Sequence, residues 1–184
     1  MKTKLLLSIA VAFIFNCVSA QNDPLLPEDM YKKEIRIFIY SPSNHESRII
    51  RIYEDFEANT VMKIFRSDQE GKLSVAKEKQ IEDANFWSKL DKTQIMNIAN
   101  EEDIAFKFKN YKDVEIDGSQ VMLAYEKPDI LGEKENYGIV IRDGDRFNHV
   151  KYSNPDFYLS LYPEIDELNS IVSALNLIRN VIAS

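Results

Sequence analysis

Histidine is the side chain that most often moves protons or holds metal near neutral pH, and this chain offers two, His45 and His149. His45 lies in the polar stretch from Ser41 to Glu46, where a solvated imidazole is expected. His149 follows Asp143-Gly144-Asp145 and sits beside Asn148, and such a group could hold a hard cation or orient an imidazole. A calcium loop needs several more oxygen ligands and a closing bidentate carboxylate, whereas here the chain runs on as an alternating strand through Val150 and Tyr152. Turn formation explains both aspartates without a metal, so no metal ligand is assigned.

Carboxylates form two groups, Glu54, Asp55 and Glu57, then Glu101, Glu102 and Asp103. Paired acids held ~5–9.5 Å apart in a cleft could hydrolyse glycosides. Both groups fall at element ends in polar surroundings, which predicts solvated charge. No serine sits in a Gly-x-Ser-x-Gly elbow, and no phosphate-cradling loop is built from the five glycines. The expectation is a non-enzyme with no cofactor. Aromatic side chains offer a different chemistry: Tyr137, Phe147, Tyr152, Phe157, Tyr158 and Tyr162 concentrate near one hairpin and the start of the last helical region, and Tyr137, Phe147, His149, Tyr152, Tyr158 and Tyr162 are the candidate surface. Tyrosine joins apolar area to a polar tip, which suits a binding surface. The alternative, that these rings close the seam between sheet and helix, fits their spacing along the element faces better.

The elements that must position these residues alternate first with period two. Ile35, Ile37 and Ile39 fall on one face of a strand, Ser41-Pro42-Ser43-Asn44 breaks it, and Arg48 to Tyr53 and Thr60 to Arg66 make two more around Glu57-Ala58-Asn59. A fourth strand passes through Leu73 and Val75 after the turn Asp68-Gln69-Glu70-Gly71. Short connections favour an antiparallel meander. From Asp83 to Asn97 the period becomes helical through Phe86, Trp87, Leu90, Ile95 and Met96, with a break near Asp91 and Asp91 or Thr93 as the cap of a second short helix. Strand character returns at Ile104 to Phe108. Val114 to Ile116 and Gln120 to Tyr125 flank Asp117-Gly118, and Tyr137 to Arg142 and Arg146 to Tyr152 flank Asp143-Gly144-Asp145, both as hairpins.

Asn154-Pro155 then places a cap and a first-turn proline ahead of a short helix through Tyr158 and Leu161. Pro163 is expected to open the closing helix, with Glu164, Asp166 and Glu167 in its first turn where the helix dipole favours negative charge. Its apolar stripe runs through Ile165, Leu168, Ile171, Val172, Leu175, Ile178 and Ile182. Such a stripe must be covered, most simply by the sheet. The expected fold class is α+β: an antiparallel sheet of meander and hairpins, a central helical connection, and a C-terminal amphipathic helix packed on one face.

The start of the chain carries an address. Lys2 and Lys4, the apolar run from Leu5 to Phe15 and Val18-Ser19-Ala20 match a secretory signal peptide cleaved before Gln21. A membrane anchor would need about 20 apolar residues, and Phe15-Asn16 ahead of Cys17 is a poor lipidation context. The expected division is a signal peptide over 1–20, an extended leader over 21–31 and one α+β domain over 32–184. Cleavage removes the single cysteine, so the exported chain would hold itself by packing without disulfides. With 23 basic against 30 acidic residues the formal net charge is −7, which disfavours nucleic acid as a partner.

The order of Phe86-Trp87-Ser88-Lys89-Leu90, Asp117-Gly118 before an alternating strand, Tyr152-Ser153-Asn154-Pro155 and Tyr162-Pro163-Glu164-Ile165 resembles small exported bacterial cell-envelope proteins with no assigned activity. The resemblance covers about the last hundred residues and rests on structural punctuation; it implies an α+β domain. The expected role is a non-catalytic one, binding another protein or envelope component, or serving structurally, in the periplasm or outside the cell, with no transmembrane span after signal cleavage. The alternatives are an inhibitor or immunity-type protein that blocks a hydrolase, and a small carboxylate-dependent hydrolase.

Overall fold

The computed structural model describes residues 31–42, 46–67, 73–108, 110–116, 119–125 and 135–184. The stretches expected to be the signal peptide and nearly all of the leader, His45, and the turns at 68–71 and 117–118 lie outside them. Six strands form one antiparallel sheet in the order β4-β3-β2-β1-β7-β8. They are β1 (Lys33–Ser41), β2 (Glu46–Glu54), β3 (Thr60–Ser67), β4 (Leu73–Gln80), β7 (Asn136–Asp143) and β8 (Arg146–Ser153); β5 (Asn110–Ile116) and β6 (Ser119–Tyr125) pair with each other. Among the described residues three helices accompany them: α1 (Phe86–Lys92), α2 (Pro155–Leu161) and α3 (Asp166–Ala183). The fold is α+β, as the periodicities imply. Among the described residues no helix is long and apolar enough to cross a membrane.

Strand parity decides where the core sits. Ile35 pairs across the sheet with Ile52 and Ile141, and Ile37 with Ile50 and Ile139, so one face is a plate of β-branched side chains. Onto it α3 presses Leu168, Ile171, Val172, Ala174, Leu175, Ile178 and Val181, while Phe86 and Leu90 of α1 fill the same cluster. Each such side chain contributes ~1.5–3 kcal/mol before chain entropy is subtracted. The buried run ends on Val181, and Ile182, one residue from the end of the helix, packs against the core only partly buried.

The helix C-terminus carries no basic residue of its own, and β4 supplies the positive charge instead. Lys77 Nζ donates to the Ile182 carbonyl at 2.9 Å and Lys79 Nζ to Ser184 Oγ at 2.9 Å. These contacts join the last turn to the outer strand and complement the helix dipole.

Four local expectations are corrected. Ile104 to Phe108 is not a strand: Ala105–Phe108 is a 3-10 turn that buries Ile104 and Phe108 and exposes Phe106, a four-residue spacing of buried positions that belongs to helical geometry. The break after α1 is made by Gln94 in the left-handed region (φ 61°), ahead of a 3-10 turn at Ile95–Asn97, while Thr93 Oγ1 turns back to donate to the Leu90 carbonyl. Asn154 precedes α2 in a left-handed conformation (φ 44°), but its side chain accepts a hydrogen bond from the Glu135 backbone N–H at 2.7 Å and so ties β7 to the helix start instead of capping it. Finally α3 opens at Asp166, three residues after Pro163, with Asn169 Nδ2 donating to the Pro163 carbonyl at 2.8 Å across the turn.

Two turns show the backbone demands on sequence. Gly144 adopts φ 61° in the β7–β8 hairpin, as a tight two-residue turn requires. In the β2–β3 turn the left-handed residue is Ala58 (φ 63°), which carries a side chain where glycine is favoured. Asp55 compensates by accepting from the Glu57 and Asn59 backbone N–H groups at 2.9 and 2.8 Å, bonds that hold its carboxyl below the usual range.

Candidate functional site

The sheet separates the six residues predicted to share a surface. Tyr137 of β7 lies opposite Tyr152 of β8, and both point to the helix side; Phe147, opposite Arg142, and His149, opposite Val140, point to the other. Tyr137, Tyr152, Tyr158 and Tyr162 are between 1 % and 5 % exposed. Phe108 packs edge-on against Tyr158 and Tyr162, with ring centroids 5.6 and 5.5 Å apart. These tyrosines close the seam between β7–β8 and the helices, and do not present a common surface with Phe147. Burial of a ring this large in a small domain outweighs the benefit of leaving it wet.

Each buried tyrosine hydroxyl with a described partner is held by position-specific groups. Tyr152 donates to the Ala99 carbonyl at 2.7 Å, and burial, with the charges of Glu167, Glu101 and Asp103, pushes its ionisation up. Tyr137 donates to Glu135 in a short bond, and Arg179 Nη2 reaches its oxygen at 3.3 Å. Burial and the Glu135 carboxylate raise the Tyr137 phenol to about 12. Arg179 also grips both oxygens of Asp156, at 2.8 and 2.7 Å, holding that carboxyl below its usual value and tying α3 to α2.

Members of both acid groups are likewise engaged in structure, while Glu102 and Asp103 are exposed. Glu101 Oε2 accepts from the Ser153 N–H at 2.7 Å. Glu54 pairs with Lys33 at 3.3 Å, and Lys107 bridges both oxygens of Glu167 at 2.6 and 2.7 Å. The Asp143, Asn148 and His149 group does not converge. Asp143 pairs with Arg146, and Asn148 Nδ2 donates to the carbonyls of Ile95 and Ile98 on the helix side, at 3.1 and 3.0 Å. His149 projects from the opposite face, exposed, with its pKa lowered by partial burial and by Lys151.

That opposite face holds a charged group that sequence reasoning missed. Glu34, Arg36 and Arg51 are 4 %, 6 % and 3 % exposed. Glu34 Oε1 accepts from Arg36 Nε at 2.5 Å and from Arg51 Nε at 2.6 Å, and its Oε2 accepts from Arg36 Nη2 at 3.1 Å. The Arg51 guanidinium lies 5.1 Å from the centroids of both the Tyr31 and Tyr53 rings, which stack 4.1 Å apart. Next along the strands, Phe38 covers Gly138, and Ile49, Phe65 and Leu73 form a small second core. The signal available in sequence was parity: Glu34, Arg36 and Phe38 alternate with the isoleucines. An alternating charge normally reads as solvated, and only the register Arg36 opposite Arg51 brings the second arginine in.

At the outer margin of this face the side chains are exposed. Phe147 is 57 % exposed, with the Arg142 guanidinium 5.8 Å from its ring centroid, and His149 and Lys151 follow it on the same side of β8. Phe147 and His149 are the part of the predicted surface that stays exposed. No protein-family model matches the chain, and no curated protein or solved structure matches it at a significant level.

Proposed function

We propose that this chain is an exported, non-catalytic protein that binds another macromolecule in the cell envelope or outside the cell. The observation that carries the reading is that large apolar side chains stand exposed on regular elements, among them Phe147 on β8, and Phe157 with Leu161, one turn apart, on α2. Large rings held in solvent by a hydrogen-bonded scaffold suit recognition, because little order remains to be imposed on binding. Support also comes from the acids that could have formed a hydrolytic pair. Glu54, Asp55 and Glu101 are each committed to a cation or to backbone N–H groups that fix the fold. Export is supported by the basic, apolar and small-residue pattern over Met1 to Ala20.

The test is photo-crosslinking in the producing cell, with the full chain carrying a benzophenone side chain at Phe147, at Phe157 or, as a control, at Glu78. Discrete adducts from Phe147 or Phe157 and none from Glu78 are expected. Absence of adducts from both aromatic positions, with the protein folded and exported, overturns the binding role. Recovery of the protein with residues 1–20 attached in the cytoplasm overturns export.

A further inference from the structure

The chain is acidic overall, at formal net charge −7, yet the sheet face turned away from the helices is basic. Parity places Arg36, Arg51, Lys63, Arg142 and Lys151 there, against Glu34 and Glu78. Most of the basic groups are engaged within the sheet; of the two exposed margins of this face, β4 offers Glu78 and the β7–β8 margin is the basic one. Along β8, Phe147, His149 and Lys151 stand about 7 Å apart, the spacing of alternate strand residues. Beside them β7 offers Arg142, the partly buried Val140 and Gly138, the last opposite Lys151, so the β8 row rises above a low neighbouring strand.

The backbone of β8 is closed at this point. Asn100 Oδ1 accepts from the Lys151 N–H at 2.9 Å, its Nδ2 donates to the His149 carbonyl at 3.4 Å, and Glu101 holds the Ser153 N–H. A partner therefore cannot extend the sheet over His149 to Ser153, and must meet the side-chain row on its face. We infer that this margin, Phe147 with Arg142, His149 and Lys151, docks a protein partner whose contact surface offers carboxylates around an apolar residue. The inference rests on the binding role proposed above and names its partner's chemistry.

Charge complementarity selects acidity, and the extent of the patch selects protein. Asp145 in the adjoining hairpin turn, where Asp143 is paired with Arg146, and Glu101 at the β8 edge bound the row with negative charge. A long polyanion, whether nucleic acid or acidic glycan, would run from the row onto those acids and be repelled. A folded partner can place acids on the row and basic groups on its flanks.

The experiment uses the full chain with the benzophenone at Phe147 in the producing cell, with and without Lys151→Glu, and with Lys92→Glu, at an exposed position of α1, as the charge control. An adduct that maps to a carboxylate-rich peptide, falls about tenfold or more with Lys151→Glu and persists with Lys92→Glu is expected. An adduct on glycan or lipid, or one indifferent to Lys151→Glu, overturns the inference. Crosslinking from Phe157 alone overturns it while leaving the binding role standing, and silence at both positions removes both.

Discussion

Glu34→Gln is expected to destabilise the domain far more than its single-atom change suggests. The carboxylate is buried and accepts three hydrogen bonds, two of them short, from two guanidinium groups that are themselves buried. A neutral amide can accept at one atom only and turns its NH2 toward donors, so two positive groups lose their shared counter-charge away from water. Breaking a buried ion pair from one side typically costs about 3–5 kcal/mol. With a urea dependence of about 2 kcal/mol per molar for a domain of this size, the midpoint should fall by roughly 1.5–2.5 M. The half-buried but solvent-accessible pair Lys33–Glu54, 3.3 Å apart on the same sheet, serves as the comparison; Glu54→Gln should cost about 0–1 kcal/mol. Equilibrium urea unfolding followed by far-ultraviolet circular dichroism reads both. A Glu34→Gln midpoint within about 0.3 M of wild type would refute the reasoning, since the carboxylate would then be balancing nothing in the folded state.

Leu168→Ala should cost ~2–5 kcal/mol in the same assay, because Leu168 is wholly buried between α3 and the sheet and the cavity cannot fully collapse. Ala58→Gly should instead stabilise, by about 0.5–1 kcal/mol, by relieving the left-handed side-chain conformation; a loss of stability would show that the turn tolerates Ala58 without strain. Tyr137 holds its proton more tightly folded than unfolded, so its contribution is intact below pH 10 and is lost as pH rises toward about 12. The loss approaches ~2–3 kcal/mol, and Tyr137→Phe should shallow the alkaline decline of the urea midpoint, leaving the part due to Tyr152. Lys77→Ala should raise hydrogen exchange over the last turn of α3, near Ile182, without changing exchange at Leu168.

Much of this architecture is legible in the chain because it is local. Ile35, Ile37 and Ile39 declare a half-buried strand, Gly144 between two alternating runs declares a hairpin, and the spacing from Leu168 to Ile178 declares the covering helix. What escaped depends on register or on residues distant in sequence. Phe106 was read as part of a strand because Ile104, Phe106 and Phe108 alternate, although only the first and last are buried. That β7 lies beside β1, a separation of about a hundred residues, has no local signature. The aromatic group near the second hairpin was read as a cluster in sequence, and parity along β8 divided it, sending Tyr152 inward and Phe147 outward. The Glu34, Arg36 and Arg51 group was invisible for the same reason: two of its members look like an ordinary polar face until Arg51 is laid opposite.

The division of those rings by the sheet can be measured directly by hydroxyl-radical footprinting of the full chain, read residue by residue by mass spectrometry. Phe147 should oxidise readily, while Tyr137, Tyr152, Tyr158 and Tyr162 should react at least about tenfold more slowly than the same residues in urea, as rings removed from water do. Oxidation of the four tyrosines at their unfolded rate, or protection of Phe147 in the isolated protein, would contradict the separation on which the proposed binding margin depends.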